Sequence, residues 1–161
     1  MKYIKLSLIT LLIVLLSHTP AFSNDDNHIY LNFTRKEVCS DRARKCWPVA
    51  LGNSSNPTPF IEGPTYVLDI RRNGFTWSNP FTGKVYRPGT HNLGNIWVQY
   101  TQVDGIHIGF HQTPYPSIPL SQQQSRGGCI RMSSTDIKEF ASYVRYLDEI
   151  YSIREQTPTT Y

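Results

Sequence analysis

The chain has 161 residues, 39% hydrophobic and 17% charged, which is the size of one ordinary domain and the composition of a globular protein rather than a disordered one. Its formal charge of +4 includes Lys2 and Lys5, near the start. Without those two it falls to +2, and no Lys/Arg block interleaved with aromatics remains to suggest a nucleic-acid surface.

Residues 1–23 read as a secretory signal. Lys2 and Lys5 make a basic start, Leu6 to Leu16 is nearly all apolar, and Ala21-Phe22-Ser23 offers a small-x-small cleavage site. The apolar run is shorter than the ~20 residues that cross a bilayer, so a retained anchor is the weaker alternative. Cleavage would leave a mature chain from about Asn24, with one domain over 24–155, no membrane attachment, and residence in the periplasm or cell wall.

Ile29 to Phe33 and Trp47 to Leu51 read as strands bracketing a polar segment flanked by Cys39 and Cys46. A hairpin there would set the two thiols face to face for a disulfide, the alternative being two free thiols. The stretch Arg42 to Lys45 between them reads as a solvated turn. Further strands are expected at Tyr66 to Ile70, Ile96 to Tyr100 and Ile106 to Phe110, rich in β-branched and aromatic residues with turn residues between. Ser133-Ser134-Thr135-Asp136 fits a helix cap, and Ile137, Phe140, Ala141, Val144 and Leu147 recur at helical spacing. Residues 156–161 read as a frayed tail. The expected fold is mainly β, a compact sandwich or barrel with one amphipathic C-terminal helix.

Chemistry concentrates between His107 and Met132. Three cysteines in a chain bound for an oxidising compartment leave one over, and pairing Cys39 with Cys46 makes it Cys129. Gly127 and Gly128 before it permit a tight turn and free N–H groups near the sulfur, where an oxyanion could be received. A thiol is mostly protonated at neutral pH, so a nucleophilic role also needs a nearby imidazole or cation. His111 and Arg131 can supply both.

Ile108-Gly109-Phe110-His111-Gln112-Thr113 resembles the Ile-Gly-x-His-Gly-Thr segment of the L,D-transpeptidase (YkuD-type) catalytic domain. Gly128-Cys129-Ile130-Arg131-Met132 resembles its Ser-x-Gly-Cys-Ile/Val-Arg-Met signature, 18 positions on. Val49 to Gly52 with Thr58-Pro59 is similar to the opening of these domains. Trp77 to Gly83, Pro88-Gly89 and Asn92 to Trp97 look like the insertion of the cyanobacterial-type branch.

The resemblance implies that Cys129 attacks a peptidoglycan stem tetrapeptide to form a thioester and release D-alanine. His111 would be the base turned acid, oriented by the Gln112 carbonyl, with Gly128 N–H in the oxyanion hole. An amine from a neighbouring stem, or from a protein, would resolve the thioester; water would give a carboxypeptidase or amidase-type hydrolase that trims stems or removes attached proteins, and an idle wall-binding module is a further alternative. No cofactor is implied, and no zinc spacing surrounds Cys129.

Ser125, Arg126, Gly127 and Arg131 are the expected substrate contacts, Arg131 either holding a carboxylate or pinning the cysteine loop. The chain departs from the family at Arg126-Gly127, where a second histidine is missing, and at Gln112, whose bulk would narrow the pocket in place of glycine. Strand alternation places His107 on the same face as His111. His111 is the preferred base, and a hydrogen-bonded core residue is the reading for His107. His28 and His91 show no constellation.

Overall fold

The computed structural model describes residues 27–156, so the leader lies outside it, as does the tail beyond Gln156. In chain order the strands are β1 (His28–Asn32), β2 (Glu37–Ser40), β3 (Lys45–Pro48), β4 (Pro64–Tyr66), β5 (Ile70–Arg71), β6 (Trp77–Ser78), β7 (Val85–Tyr86), β8 (Trp97–Val103), β9 (Ile106–Gln112), β10 (Ile130–Met132) and β11 (Glu149–Ile153). Among the described residues a single α-helix, α1 (Ser134–Tyr143), lies between β10 and β11. The strands form a five-stranded sheet in the order β3-β2-β1-β11-β4, a four-stranded sheet β10-β9-β8-β5, and the small ribbon β6-β7.

Both large sheets contribute to one apolar cluster. Ile29, Leu31 and Ile150 come from the first, Val98, Tyr100, Phe110 and Met132 from the second, and Ile137, Phe140 and Ala141 from α1. The alternation along β1 explains its placement: Ile29 and Leu31 are buried while His28 and Tyr30 stay partly exposed. The mainly β architecture with one C-terminal helix is as the sequence predicts. The cap is also as predicted, with the Ser133 hydroxyl accepting from Asp136 N–H at 3.0 Å.

The cysteine hairpin forms, with Cys39 directly opposite Cys46 in the β2–β3 register and joined to it by a disulfide. It closes a short loop, so its reduction should lower stability by at most ~2–3 kcal/mol. Urea melts with and without reductant would measure that, and the alkylation rate of native Cys129 should be the same in both.

Several expectations are corrected. The run Tyr66 to Ile70 is not one strand. It leaves the first sheet at Tyr66 and enters the second at Ile70, and between them Val67 N–H donates to Asp148 O while Gln99 N–H donates to Asp69 O. The expected Trp47–Leu51 strand also divides: β3 stops at Pro48, and Ala50 exchanges both backbone bonds with Arg131 of the other sheet. Such changes of sheet make the corners of a sandwich.

Helix α1 ends at Tyr143, where the Arg72 guanidinium takes the carbonyls of Ala141 and Val144. Val144 is buried but extended, and Leu147 lies outside the helix at φ 67° and exposed. The helical spacing of those two residues is therefore coincidental. The next strand, β11, has no counterpart among the expected strands, and it lies inside the first sheet between β1 and β4, parallel to β1.

The Arg42–Lys45 segment is not a simple solvated turn either. Arg42 reaches inward to Asp148 at 2.9 Å, and that carboxylate, only 6% exposed, is shared with Asn27. A charge so withdrawn from water requires such a partner.

Candidate active site

The four-stranded sheet has a core face and an outer face, and the site occupies the second. Val98, Ile108, Phe110, Ile130 and Met132 point into the core. The residues alternating with them, Trp97, Gln99, Gly109, His111 and Arg131, therefore share the opposite face. The register sets Arg131 beside His111 on one side and Trp97 on the other, whose ring stacks on the imidazole at 6.4 Å and 16°. Cys129 enters β10 two residues before Arg131, on the same face as His111 and diagonal to it across a parallel pair.

Glycine at 109 is what lets the strands close under Trp97. A Cβ there would stand 2.6 Å from Val98 O and 2.7 Å from the Trp97 ring. The Gly109 backbone also faces the Cys129 sulfur closely enough to favour its charged form. Gly109→Ala should therefore displace Trp97 and the thiol together, slowing Cys129 alkylation or acylation by about tenfold or more and costing ~1–3 kcal/mol, as read by timed mass spectrometry and urea melts.

His111 is buried, and its Nδ1 lies 2.7 Å from Gln112 O. A carbonyl only accepts, so Nδ1 carries the proton and Nε2 is left as the basic nitrogen. Burial, opposed by that carbonyl and aided by the positive charge of Arg131 and by His91, lowers the imidazole to about 4. Burial likewise raises the Cys129 thiol, against the Gly109 backbone and Arg131. At neutral pH the pair is an imidazole and a thiol, not an ion pair.

The cysteine loop is held from several sides. Gly128 sits at φ +76°, a conformation that favours glycine, and its carbonyl accepts from the Thr58 hydroxyl at 2.8 Å. Thr58 in turn accepts from Gly52 N–H, also at 2.8 Å. Arg131 donates from Nη1 to Gln124 O at 2.8 Å and lies over the Tyr115 ring at 5.3 Å. Of the two roles considered for it, the pinning contact is present, although its single bond to Gln124 O is not bidentate. Gln123, buried, binds the Tyr115 and Ile118 carbonyls and so braces the loop between the histidine and the cysteine.

His111, Cys129 and Arg131 line one cleft of about 520 Å³, with Ser125, Arg126, Gly127, His107 and Tyr115 among its walls. That volume suits a small ligand or a peptide end. Ser125 is buried and tied by its backbone to Leu51 and Asn53, whereas Arg126 is exposed at the rim.

Gln112 does not narrow this cleft. Its side chain packs against Gly94 and lines surface depressions on the far side. His107 shares the cleft but is exposed rather than in the core, with Nδ1 3.2 Å from Gln99 Oε1. His91, read as isolated, is buried against Phe75 with Nε2 2.8 Å from Phe75 O, and it adds to the field on His111. His28, also read as isolated, lies between Asp41 at 3.3 Å and Glu149 at 3.6 Å on the first sheet, away from the cleft. Among the described residues, the His/Cys/Asp/Glu group compact enough for a metal is Glu37 with Cys39 and Cys46, whose sulfurs are spent on the disulfide.

The L,D-transpeptidase catalytic domain model matches residues 26–157. The chain belongs to that family. Solved L,D-transpeptidases share its fold. L,D-transpeptidase 1 of Mycobacterium tuberculosis aligns at TM-score 0.54 and 18% identity over 80% of this chain and 60% of that one. L,D-transpeptidase 3 of the same organism, solved with a faropenem-derived adduct, gives 0.59 and 18% over 81% and 60%. A variant of the Enterococcus faecium L,D-transpeptidase gives 0.59 and 18% over 80% and 50%.

The chain thus spans about half to three-fifths of the length of these L,D-transpeptidases. No curated protein matches the sequence. The matches place this L,D-transpeptidase domain in no particular branch of its family, the cyanobacterial-type one included.

Proposed function

We propose that the protein is an exported, cysteine-dependent L,D-transpeptidase acting on peptidoglycan stem peptides. The observation that carries this reading is a single cleft lined by the one free thiol and by an imidazole whose Nδ1 is committed to a backbone carbonyl. Export rests on the leader-like first 23 residues and on the disulfide, which belongs to an oxidising compartment.

In the proposed reaction the Cys129 proton passes to His111 Nε2 as the sulfur attacks the carbonyl of the third stem residue. The N–H groups of Gly128 and Cys129 receive the oxyanion. Collapse breaks the peptide bond, His111 returns its proton to the departing amine of D-alanine, and a thioester remains. An amine then attacks the thioester, giving up its proton through His111 and restoring the thiol. The acceptor is another stem, giving a 3→3 cross-link, or a protein amine.

Water in place of the amine makes the same site a carboxypeptidase, and the openness of the cleft at Arg126 and His107 gives water a route. Digestion of purified tetrapeptide muropeptides followed by mass analysis separates the two. New dimers support transpeptidation, tripeptides alone indicate hydrolysis, and unchanged tetrapeptides reject the enzyme. The penem-derived adduct of the M. tuberculosis relative supports a second assay, intact-mass detection of a carbapenem on Cys129.

A further inference from the structure

Thr58, the residue before Pro59, stands behind the cysteine loop. It is 6% exposed and lies outside the walls of the cleft that Gly127 and Cys129 line. Gly52 N–H donates to Thr58 Oγ1 at 2.8 Å, and Thr58 Oγ1 is 2.8 Å from Gly128 O. An amide N–H can only donate and a hydroxyl carries one proton, so that proton points at the Gly128 carbonyl.

The hydroxyl is itself firmly placed. A Cβ on Gly52 would stand 2.2 Å from Asn56 O and 2.5 Å from Thr58 N, so the strap over 56–58 crosses directly above that glycine. On either side of Gly52, Leu51 O accepts from Ser125 N–H and Asn53 N–H donates to Ser125 O, which ties the same segment to the other end of the cysteine loop.

We propose that Thr58 is a positioning residue for acyl transfer, its hydroxyl turning the Gly128–Cys129 peptide so that Cys129 N–H aims into the cleft at the developing oxyanion. The inference rests on the transpeptidase reading above and adds the residue that aims its oxyanion donor. The peptide is trans and planar, so its C=O and N–H point to opposite sides. A carbonyl drawn back toward buried Thr58 sends the N–H forward, to the side where Cys129 meets the cleft.

Gly128 does not set this plane by itself. Its φ of +76° favours glycine, and glycine leaves ψ, and with it the plane of the next peptide, free over a wide range. Without the hydroxyl the carbonyl can swing toward the cleft and bring its partial negative charge to the place where the oxyanion forms. Thr58 thus acts through Gly128 and not on the sulfur.

The test compares two reactions of one thiol. Acylation by a carbapenem passes through a tetrahedral oxyanion, whereas alkylation by iodoacetamide displaces iodide at a saturated carbon and forms none. Both are followed on the full chain by timed intact-mass measurement. Thr58→Val removes the hydroxyl at nearly constant shape, and it should lower the maximal acylation rate by about 10²-fold while alkylation changes by less than about twofold. The carbapenem concentration for half-maximal rate should stay near the parent value. Thr58→Ser, which keeps the hydroxyl, should return acylation to near the parent rate.

Equal slowing of the two reactions means a displaced loop and overturns the proposal, as does unaltered acylation in Thr58→Val or a Thr58→Ser protein as slow as it. Should Thr58→Val fail to fold, Thr58→Ala against Thr58→Ser makes the same comparison. A parent chain that is alkylated but never acylated sinks the transpeptidase reading together with this one. A parent that is acylated, with no split between the two reactions in the variants, sinks the role of Thr58 alone.

Discussion

Cys129→Ala protein should form no carbapenem adduct and release no D-alanine from tetrapeptide muropeptides, a loss of about a thousandfold or more that leaves only background. The expectation is strong because nothing can replace the sulfur. The chain has three cysteines, and Cys39 and Cys46 are bonded to each other. The loss would not come from unfolding. The loop keeps its contacts through Gly128 O to Thr58 and through Arg131 to Gln124, none of which uses the Cys129 side chain. Intact-mass and muropeptide assays on the two proteins, with melting curves to show equal folding, make the comparison. Residual D-alanine release at more than a few per cent would reject the thioester route.

His111→Ala should slow acylation by about 10²–10⁴-fold, whereas His107→Ala should leave acylation near the parent rate. The pH profile distinguishes the two bases further. Catalysis needs an unprotonated imidazole, and burial brings His111 down to about 4. Activity of the parent should therefore fall only as pH drops through about 4, well below the ordinary histidine range. An acid limb near the ordinary histidine value of ~6.5 would identify a different base.

Stability follows the same titration. The folded pKa lies below that of the unfolded chain, so between about 4 and the ordinary 6.5 the unfolded state binds the extra proton and stability rises with pH. The contribution is intact above the unfolded value and is lost as pH falls toward 4. It is on the order of 3 kcal/mol, and His111→Gln should flatten it in urea melts at pH 4.5 and 7.

Much of the site was legible because its signals are local. His111, Cys129 and their glycines lie in two short segments that the register of β9 and β10 brings side by side. The N-terminus of α1 was equally legible, since Ser133 and Asp136 bond to each other across one turn. What escaped depends on distant partners. Thr58 reaches Gly128 only because the chain folds back over 70 positions, and Arg42 meets Asp148 over 106.

Tyr66 to Ile70 has the residues of a strand, but a change of sheet is set by what lies on either side, not by propensity. β11 was hidden because Val144 and Leu147 extend the helical spacing into the turn before it. Of its five residues Ile150 alone is buried, so the strand carries little inward-outward contrast of its own. His91 and His28 carry no flanking motif, and their surroundings exist only in the folded chain.

The pairing of β1 with β11 joins the first of the described strands to the last. The link between β1 and β4 in the five-stranded sheet is thus missing until Glu149 to Ile153 have been synthesised, and an N-terminal portion alone leaves that sheet incomplete. Under the export proposed above, a polypeptide wired this way is expected to stay threadable while it is still on the ribosome. That is the condition in which a translocation channel accepts its cargo.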